Sequence, residues 1–213
     1  FLMRIIPFCG YPICIIKTGE ILNDNELSFL RSLDNKQHME TLNTRTKLTK
    51  SVNILNNNEL KRVQDFVWKH FCNYVNDVLE IENDFYMCNS WGTIQQKGDN
   101  HPSHNHPNAV FSSVFYVQTS DSSITFGIDR SKIMEGFLLD FKIKNYNYFN
   151  ALSWKVPVET GDMIIFPGEL QHESQVHNGD DDRMIIGSSY FVQGNLGFDD
   201  NYNSIKLYNA DDR

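Results

Sequence analysis

The sequence predicts an α+β protein in which a double-sheet jelly roll is backed by helices near the N-terminus. Apolar residues at helical spacing are confined to about the first 80 residues. From Asp84 onward, short β-branched and aromatic runs alternate with turn residues. Helices followed by many strands are typical of α+β folds, and a jelly roll accommodates this number of short strands, so the two patterns together predict the class.

The composition is that of one globular domain. The chain has 213 residues and a mass of 24.8 kDa, and 40% of its residues are hydrophobic and 13% aromatic, which is enough for a full core. The net charge is −8 and the pI is near 5.3, and no cluster of Lys or Arg breaks this acidic balance. We therefore expect no general nucleic-acid binding. No apolar run reaches the length of a membrane span, so no membrane partner is expected.

We expect a single domain over residues 1–213, with helical support at 20–80, a jelly-roll core at 84–193 and a polar tail at 194–213. The stretch FLMRIIPFCGYPICII is apolar but is interrupted by two prolines and a glycine. It therefore predicts an edge strand of the main sheet and not a signal peptide, with Met3 as the first plausible start. Four scattered cysteines lack CxxC spacing and are expected to be mostly buried, reduced thiols of a cytoplasmic protein.

Two helices are predicted before the strands begin. Residues 23–34 combine a polar cap with leucines at helical spacing. Residues 35–57 are polar and predict a loop. A longer helix is predicted from about residue 58 to residue 79, and its core-facing stripe consists of Leu60, Val63, Val67, Phe71, Tyr74 and Val78.

Five later segments have the composition of core strands. They are rich in β-branched and aromatic residues, and turn sequences such as SDSS and NGDDD lie between them. The segments are FYMCNSWGTI, AVFSSVFYVQ, SSITFGID, VPVETGDMIIF and RMIIGSSYFVQ. We expect these strands to form the two sheets of the jelly roll.

Three histidines beside these strands form a candidate metal site. His104 and His106 are one residue apart on an extended segment, where alternate side chains point to the same side. His172 follows the apolar phrase GDMIIFPGELQ and can complete a three-ligand site. Such a facial site leaves coordination positions open and is used by non-haem iron oxygenases, usually with one carboxylate among the ligands. The remaining isolated histidines are expected to be structural: His38, His70 and His177.

Arg183 opens the strand RMIIGSSYF, eleven residues after the last of these histidines. Its guanidinium offers a fork for a carboxylate, such as the far carboxylate of a 2-oxoglutarate that chelates the metal through its keto acid. Tyr116 on a neighbouring strand could add a phenolic hydrogen bond. Asn89 and Trp91 alternate onto one face of the strand before the histidine pair. We expect both to line the substrate or co-substrate cavity, although core packing is an equal alternative for Trp91.

These motifs resemble those of the 2-oxoglutarate/Fe(II)-dependent oxygenase superfamily, in particular its prolyl-hydroxylase-like branch and a small subfamily found in phages and marine bacteria. The resemblance covers about residues 85–193 and rests on HNHPN before SSVFYV, on GDMIIFPGELQH, and on the Arg of RMIIGSSYF. It implies a double-stranded β-helix of the cupin-like kind, with Fe(II) and 2-oxoglutarate as cofactors and O₂ as co-substrate. It also implies that His104 is the first metal ligand, His172 the distal one, Arg183 the co-substrate anchor and Tyr116 a co-substrate tyrosine. A phage-encoded chain would act in the host cytoplasm.

The chain departs from the superfamily pattern at His106, where Asp or Glu is usual. A third neutral ligand leaves the Fe(II) site one unit more positive than the usual triad. This should retain a dianionic co-substrate and change the oxygen reactivity and metal preference. Three nearby residues could replace a ligand: His101 as an imidazole, and Asp99 or Glu173 as a carboxylate.

The leading hypothesis is an oxygenase that hydroxylates a C–H bond of a peptide residue, such as proline, or of a small molecule. One alternative is a three-histidine cupin-like dioxygenase that needs no keto acid, against which Arg183 argues. Another is a non-catalytic jelly-roll module in which a bound metal only stiffens the site. Substrate choice is expected to depend on loops such as 130–150, part of which could be a lid or a plain surface excursion.

Overall fold

A computed structural model describes five parts of the chain: residues 10–37, 46–127, 142–148, 150–197 and 203–207. Within them, two helices pack on the outer face of a large sheet, and a smaller sheet covers its inner face. None of the helices in the described residues has the length and apolar character needed to cross a membrane.

The first helix, α1, spans Asp24–Ser32 and begins with a capping box. The Asn23 side chain accepts a hydrogen bond from the Glu26 N–H, and the Glu26 carboxylate accepts one from the Asn23 N–H, so two N–H groups at the helix start are satisfied. The second helix, α2, spans Lys61–Asn73 and continues into a π-helical turn at Tyr74–Val78. Two 3-10 turns precede it, at Ile54–Asn56 and Asn58–Leu60.

Thirteen strands occur in the described residues. In chain order they are β1 (Cys14–Lys17), β2 (Asn35–Gln37), β3 (Lys47–Thr49), β4 (Phe85–Gln95), β5 (His101–His104), β6 (Phe111–Gln118), β7 (Ser122–Gly127), β8 (Ser153–Val158), β9 (Asp162–Pro167), β10 (His172–Ser174), β11 (Arg183–Val192), β12 (Gly194–Leu196) and β13 (Ile205–Leu207).

The strands β4 to β11 form the predicted double-stranded β-helix. Four of them lie in the large sheet, whose order is β1-β9-β6-β11-β4-β3-β2. The other four form the small sheet, in the order β5-β10-β7-β8. All of these neighbours pair antiparallel, and the chain passes between the sheets as a jelly roll requires.

Two apolar cores lie on the two faces of the large sheet. The outer core joins the sheet to the helices, and in it the Phe71 ring of α2 stacks on the Tyr190 ring of β11 with centroids 3.7 Å apart. The inner core lies between the sheets and includes Phe126 of the small sheet and Phe166 of the large one, with centroids 5.2 Å apart. Because β11 has both faces covered, its central residues are buried on both sides.

The structure confirms the predicted helices and the N-terminal edge strand, since β1 pairs with β9 at the edge of the large sheet. It corrects two other expectations. Residues 35–57 contain β2, β3 and a 3-10 turn, and not only a loop. Val78 is 64% exposed, because the π-helical turn places it outside the apolar stripe. Within the polar tail, β12 and β13 pair antiparallel.

The described cysteines agree with the sequence prediction in their pairing but not in their burial. Three described cysteines are free thiols: Cys14, Cys72 and Cys88. They are half-buried, where the sequence predicted mostly buried thiols. Cys9 lies outside the described residues.

Candidate metal centre

The three predicted histidines lie together at one end of the small sheet. His172 at the start of β10 pairs directly with His104 at the end of β5, and their ring centroids are 4.3 Å apart. The His106 ring lies 5.1 Å from that of His104 and 5.0 Å from that of His172. One nitrogen from each ring can be chosen so that all three lie within 4.8 Å of one another, a spacing that could hold a metal ion.

His106 reaches the cluster from a loop and not from a strand. Since β5 ends at His104, the strand alternation that predicted the pair does not extend to the second histidine. Instead, the His106 N–H donates to the Gly168 carbonyl at 2.8 Å, and the Gly168 N–H donates to Val110 at 2.9 Å. A Cβ on Gly168 would lie 2.3 Å from the Ala109 carbonyl oxygen, so this close approach of two chain segments requires glycine.

Backbone carbonyls fix the orientation of two of the rings. His104 Nδ1 lies 2.9 Å from the Pro102 carbonyl oxygen, and His172 Nδ1 lies 3.0 Å from that of Leu170. Since a carbonyl only accepts, each Nδ1 carries the hydrogen and donates it. Each Nε2 is then the atom with a free lone pair, which is the arrangement found in metal-binding histidines.

Burial keeps the three imidazoles neutral. His172 is 4% exposed, and desolvation, followed by the influence of His104, lowers its pKa to about 3. Desolvation likewise lowers the pKa of His106 to about 4, with a further contribution from His104. The pKa of His104 is also lowered by burial, although its hydrogen bond to Pro102 acts in the opposite direction. Neutral imidazoles are the form that binds a metal.

Arg183 lies on the same cavity as the histidines and is 2% exposed. Its Nε donates to the Gln95 side-chain oxygen at 2.8 Å, and its Nη1 donates to Ser122 Oγ at 2.8 Å. Its Nη2 donates to Ser174 Oγ at 3.0 Å and to the Gln175 carbonyl at 2.8 Å. All four acceptors are neutral, so the positive charge of the guanidinium is held in place without being neutralised by them.

Tyr116 lines the cavity between Arg183 and the histidines. It lies on β6 opposite Ile185 of β11, and it is 4% exposed. Burial raises the pKa of its phenol, although the charge of Arg183 acts in the opposite direction. The hydroxyl therefore stays protonated and can donate a hydrogen bond at neutral pH. The apolar part of the wall consists of Val114, Ile124 and Ile185.

Trp91 also lines the cavity, beside His106, with ring centroids 5.4 Å apart. Asn89, two residues earlier on β4, is not among the lining residues, which corrects the expectation for that position. The β4–β11 pair is irregular next to Asn89, where the register shifts between Ser189 and Tyr190. The register from Trp91 to Asn89 is regular, because the shift lies on the far side of Asn89, so the two residues share a strand face and the cavity ends before Asn89.

The three alternative ligands do not join the metal cluster. His101 lines the cavity, and its ring stacks on that of His104 with centroids 4.1 Å apart, yet it is not part of the three-nitrogen group. Asp99 is buried and accepts a hydrogen bond from the Gln96 N–H. Glu173 follows His172 on β10 and has an exposed side chain. Among the described His, Cys, Asp and Glu residues, only the three histidines lie close enough together to hold a metal ion as a group of three.

Two of the histidines predicted to be structural, His70 and His177, lie in the described residues. His177 is 1% exposed and contacts the Asp181 carbonyl at 2.5 Å through Nε2, which is consistent with a structural role. His70 packs edge-on against Phe66 in α2. His38 lies outside the described residues, as does most of the 130–150 loop.

Sequence reasoning missed the partners that hold Arg183. It also missed Gly187, which lies opposite Trp91 and leaves room for its indole. Gln95, Ser122 and Ser174 come from three different strands, and no local pattern marks them. Gly187 was detectable in principle, because a glycine inside a strand often marks a close approach of another group.

Comparison with known proteins agrees with this arrangement. Residues 89–188 match the profile of a family described as "Putative 2OG-Fe(II) oxygenase". The matched segment contains the three clustered histidines, Tyr116 and Arg183. No curated protein is significantly similar to the chain in sequence.

Solved structures share the fold at low sequence identity. The non-haem, α-ketoglutarate-dependent epimerase SnoN from nogalamycin biosynthesis superposes with a TM-score of 0.59 and 11% identity, over 84% of this chain and 78% of that one. HygX from Streptomyces hygroscopicus, with nickel, 2-oxoglutarate and hygromycin B bound, gives 0.54 and 14%, over 84% and 82%. A prolyl-4-hydroxylase from Pseudomonas putida gives 0.54 and 8%, over 84% and 92%.

Proposed function

We propose that this chain, whose residues 89–188 match a family described as putative 2OG-Fe(II) oxygenases, hydroxylates a C–H bond of a peptide residue or of a small molecule at the histidine cluster. One observation carries the proposal: three neutral imidazoles and a buried guanidinium line the same cavity. A metal at one end and a cation at the other match the two ends of 2-oxoglutarate, a keto acid and a carboxylate.

The histidine cluster fits a divalent metal of the iron type. Its candidate ligand atoms lie within 4.8 Å of one another, and imidazole nitrogens suit Fe(II). The Nδ1 hydrogen bonds of His104 and His172 direct their Nε2 lone pairs to the site. We therefore assign His104, His106 and His172 as the ligands of Fe(II).

The other end of the cavity fits the far carboxylate of 2-oxoglutarate. Arg183 is anchored by three side chains and one carbonyl, so it is already ordered before any ligand binds. Four of its five N–H groups are used in these bonds, which leaves one, together with the full charge, for the carboxylate. We expect the phenol of Tyr116, which lines the same cavity, to donate a second hydrogen bond.

The remaining cavity residues orient the ligands and limit water. Bound iron and keto acid supply the oxidising chemistry, and the protein supplies their relative positions. Val114, Ile124 and Ile185 form an apolar wall, which strengthens the electrostatic attraction between Arg183 and a carboxylate because water is excluded there. Trp91 borders the cavity beside His106, and we assign it to the substrate side.

The structural relatives and the sequence motifs both bear on the substrate class. One of them is a prolyl-4-hydroxylase, and another, HygX, was solved with hygromycin B bound. The same fold therefore occurs in a protein named for prolyl hydroxylation and in one that binds a small molecule. We propose a peptide residue as the preferred substrate, in line with the prolyl-hydroxylase-like pattern of the sequence motifs.

A second candidate function is a three-histidine dioxygenase that needs no keto acid. His106 favours it, because the ligand set contains no carboxylate. The buried Arg183 opposes it, because a guanidinium at 2% exposure has no evident role there without an anionic co-substrate.

The test is succinate release from 2-oxoglutarate by anaerobically iron-loaded protein after oxygen is admitted. Wild type should release succinate, and His172→Ala should fall to background because it removes the most buried ligand. His70→Ala is the matched control, since His70 packs in α2 away from the cavity, and it should keep the wild-type rate. Oxygen uptake by wild type without 2-oxoglutarate, and no succinate with it, would favour the second candidate.

A further inference from the structure

We propose that His106, a neutral ligand in a cavity that also holds the buried Arg183, makes the metal affinity depend on 2-oxoglutarate more strongly than a carboxylate at position 106 would. The proposal rests on the proposed function for the identity of the two ligands. It goes beyond it in assigning to His106 a specific thermodynamic role, which can be measured without turnover.

The candidate metal ligands themselves carry no negative charge. All three are neutral imidazoles, and no carboxylate joins them among the residues that the structure describes. Glu173 also lines the cavity, but its side chain is exposed to solvent. It is more exposed than its two neighbours on β10, His172 and Ser174. A divalent ion bound here would therefore bring two positive charges into a largely buried site without an anionic ligand from the protein.

The other end of the cavity already holds a positive charge that has no ion-pair partner at contact distance among the described residues. Arg183 is nearly fully buried, and each of its four hydrogen bonds goes to a neutral oxygen. In the described part of the chain, no carboxylate oxygen lies within ion-pair distance of its guanidinium. Asp99 influences Arg183 electrostatically from farther away.

Two cationic centres in one buried cavity repel each other and pay a desolvation cost. A buried charge is tolerated when an opposite charge accompanies it, and a bound cation dominates the local electrostatics of its site. The 2-oxoglutarate dianion is the ligand that compensates both centres at once, with its keto acid at the metal and its far carboxylate at Arg183. Each ligand should then raise the affinity for the other by the same factor, because such coupling is reciprocal.

A carboxylate at position 106 would weaken this dependence. In a His, Asp, His ligand set, the protein itself supplies one negative charge to the metal. The metal would then bind more tightly without co-substrate, and 2-oxoglutarate would gain less from its presence. His106 thus sets how much of the metal affinity depends on the co-substrate.

The experiment measures the Kd of Mn(II) with and without saturating 2-oxoglutarate, by electron paramagnetic resonance of the free ion. Mn(II) has the charge of Fe(II) and is stable in air. For wild type, 2-oxoglutarate should lower the Kd by about 100-fold, near the upper end of common coupling energies. For His106→Asp, this factor should be at least fivefold smaller, and the Kd without 2-oxoglutarate should be lower than in wild type. A factor within fivefold of the wild-type one would overturn the proposal.

Asn108→Asp is the matched control. It introduces the same carboxylate two residues away, at an exposed position whose left-handed backbone (φ 64) Asp accepts. Its coupling factor should stay within twofold of wild type. A larger loss of coupling in this variant would show that any nearby negative charge acts in the same way, and it would remove the special role of His106.

A second variant tests the Arg183 end, also in case His106→Asp does not fold. Gln95→Glu keeps the shape of the side chain that accepts from Arg183 Nε and gives the guanidinium a carboxylate partner. Its Kd for 2-oxoglutarate, measured by calorimetry with Mn(II) present, should rise at least tenfold. Gln171→Glu, exposed and next to His172, should leave that Kd within twofold. An unchanged Kd in Gln95→Glu would overturn the proposal.

These measurements are separate from the test of function. Strong coupling without succinate release would retain the inference and reject the oxygenase activity. Succinate release with uncoupled binding would do the reverse.

Discussion

Trp91 and Gly187 lie opposite each other across the β4–β11 pair, and a Cβ on Gly187 would lie 2.5 Å from two carbon atoms of the Trp91 indole. Real Cβ contacts are essentially never this short. The absence of a side chain at 187 therefore lets the indole lie flat against β11. In that position it borders the cavity, 5.4 Å from the His106 ring between centroids.

Gly187→Ala should displace the indole and disturb the histidine cluster. The new methyl overlaps a rigid ring, so we expect a loss of about 1–3 kcal/mol in the free energy of unfolding, as for other overpacked cores. Mn(II) affinity in the presence of 2-oxoglutarate should also fall, because Trp91 packs beside His106. Urea unfolding and metal titration measure the two effects.

Gly127→Ala is the control for this substitution. A Cβ at Gly127 meets no described atom within 4 Å, so both measurements should match wild type. Equal stability and metal affinity of Gly187→Ala and wild type would show that Trp91 does not need this space.

Arg183→Lys should weaken 2-oxoglutarate binding although the charge is retained. A lysine ammonium cannot reproduce the planar set of four bonds to neutral acceptors that orients Arg183. The affinity should fall by about 1.5–3 kcal/mol, the range of a charge-assisted hydrogen bond. Calorimetric titration of 2-oxoglutarate into the Mn(II) form measures it. Wild-type affinity in this variant would show that the co-substrate does not use Arg183.

The sequence predicted the elements whose pattern is local and long. The α2 stripe and the strand cores were detectable because burial recurs at fixed spacing over many residues. Strands β2, β3, β5 and β10 have three or four residues and mixed polarity, so their strand conformation depends on pairing with distant segments. Such pairings leave no periodic signal in a short segment.

The site was predicted where side-chain chemistry and order along the chain are informative. The three histidines and Arg183 were identified because a metal site and a carboxylate anchor need those residue types. The neutral side chains that accept hydrogen bonds from Arg183 could not be predicted, since Gln95 and Ser122 lie 88 and 61 residues away from it in sequence. The sequence also did not predict that His106 reaches the cluster from a loop, because its position depends on a backbone hydrogen bond to Gly168.

Glu26 and Arg62 predict a pH-dependent contribution to stability outside the site. Burial alone would raise the pKa of Glu26, but hydrogen bonds from Arg62 and from the Asn23 N–H, together with the Arg62 charge, lower it overall. A carboxyl with a lowered pKa stabilises the fold above its unfolded pKa, and this contribution is lost as the pH falls through the lowered folded value.

Glu26→Gln should therefore reduce the free energy of unfolding at pH 7 by about 1 kcal/mol, since Glu26 is buried but Arg62 is half exposed. The difference from wild type should begin to shrink near pH 4, the ordinary pKa of a glutamate, because the unfolded chain then takes up a proton at Glu26. It should disappear at lower pH, once folded Glu26 is protonated as well. Denaturant melts from pH 7 to pH 3 measure this, with Glu59→Gln, exposed at a 3-10 turn, as the control. A difference that does not change with pH would exclude the ion pair as its cause.

His106 is the position that departs from the superfamily pattern, and its role in catalysis can be tested by substitution. If the three-histidine site is a working variant, wild type should convert 2-oxoglutarate to succinate and His106→Ala should lose this activity. We expect this outcome, because the other parts of the site are in place: two oriented imidazoles, a buried guanidinium and a protonated tyrosine. Succinate release without added substrate, at equal iron loading, is the measurement for wild type, His106→Ala and His106→Asp.

His106→Asp decides between the two interpretations of this residue. In a working three-histidine site, the added carboxylate changes the charge for which the cavity is built, so the rate should fall below that of wild type. In an inactive descendant of a carboxylate-bearing enzyme, the same substitution should create or raise turnover, since it restores the usual ligand set. Equal rates in all three proteins would show that His106 is not a ligand. His101 would then be the next candidate for the third metal ligand, because its ring stacks on His104 and lines the same cavity.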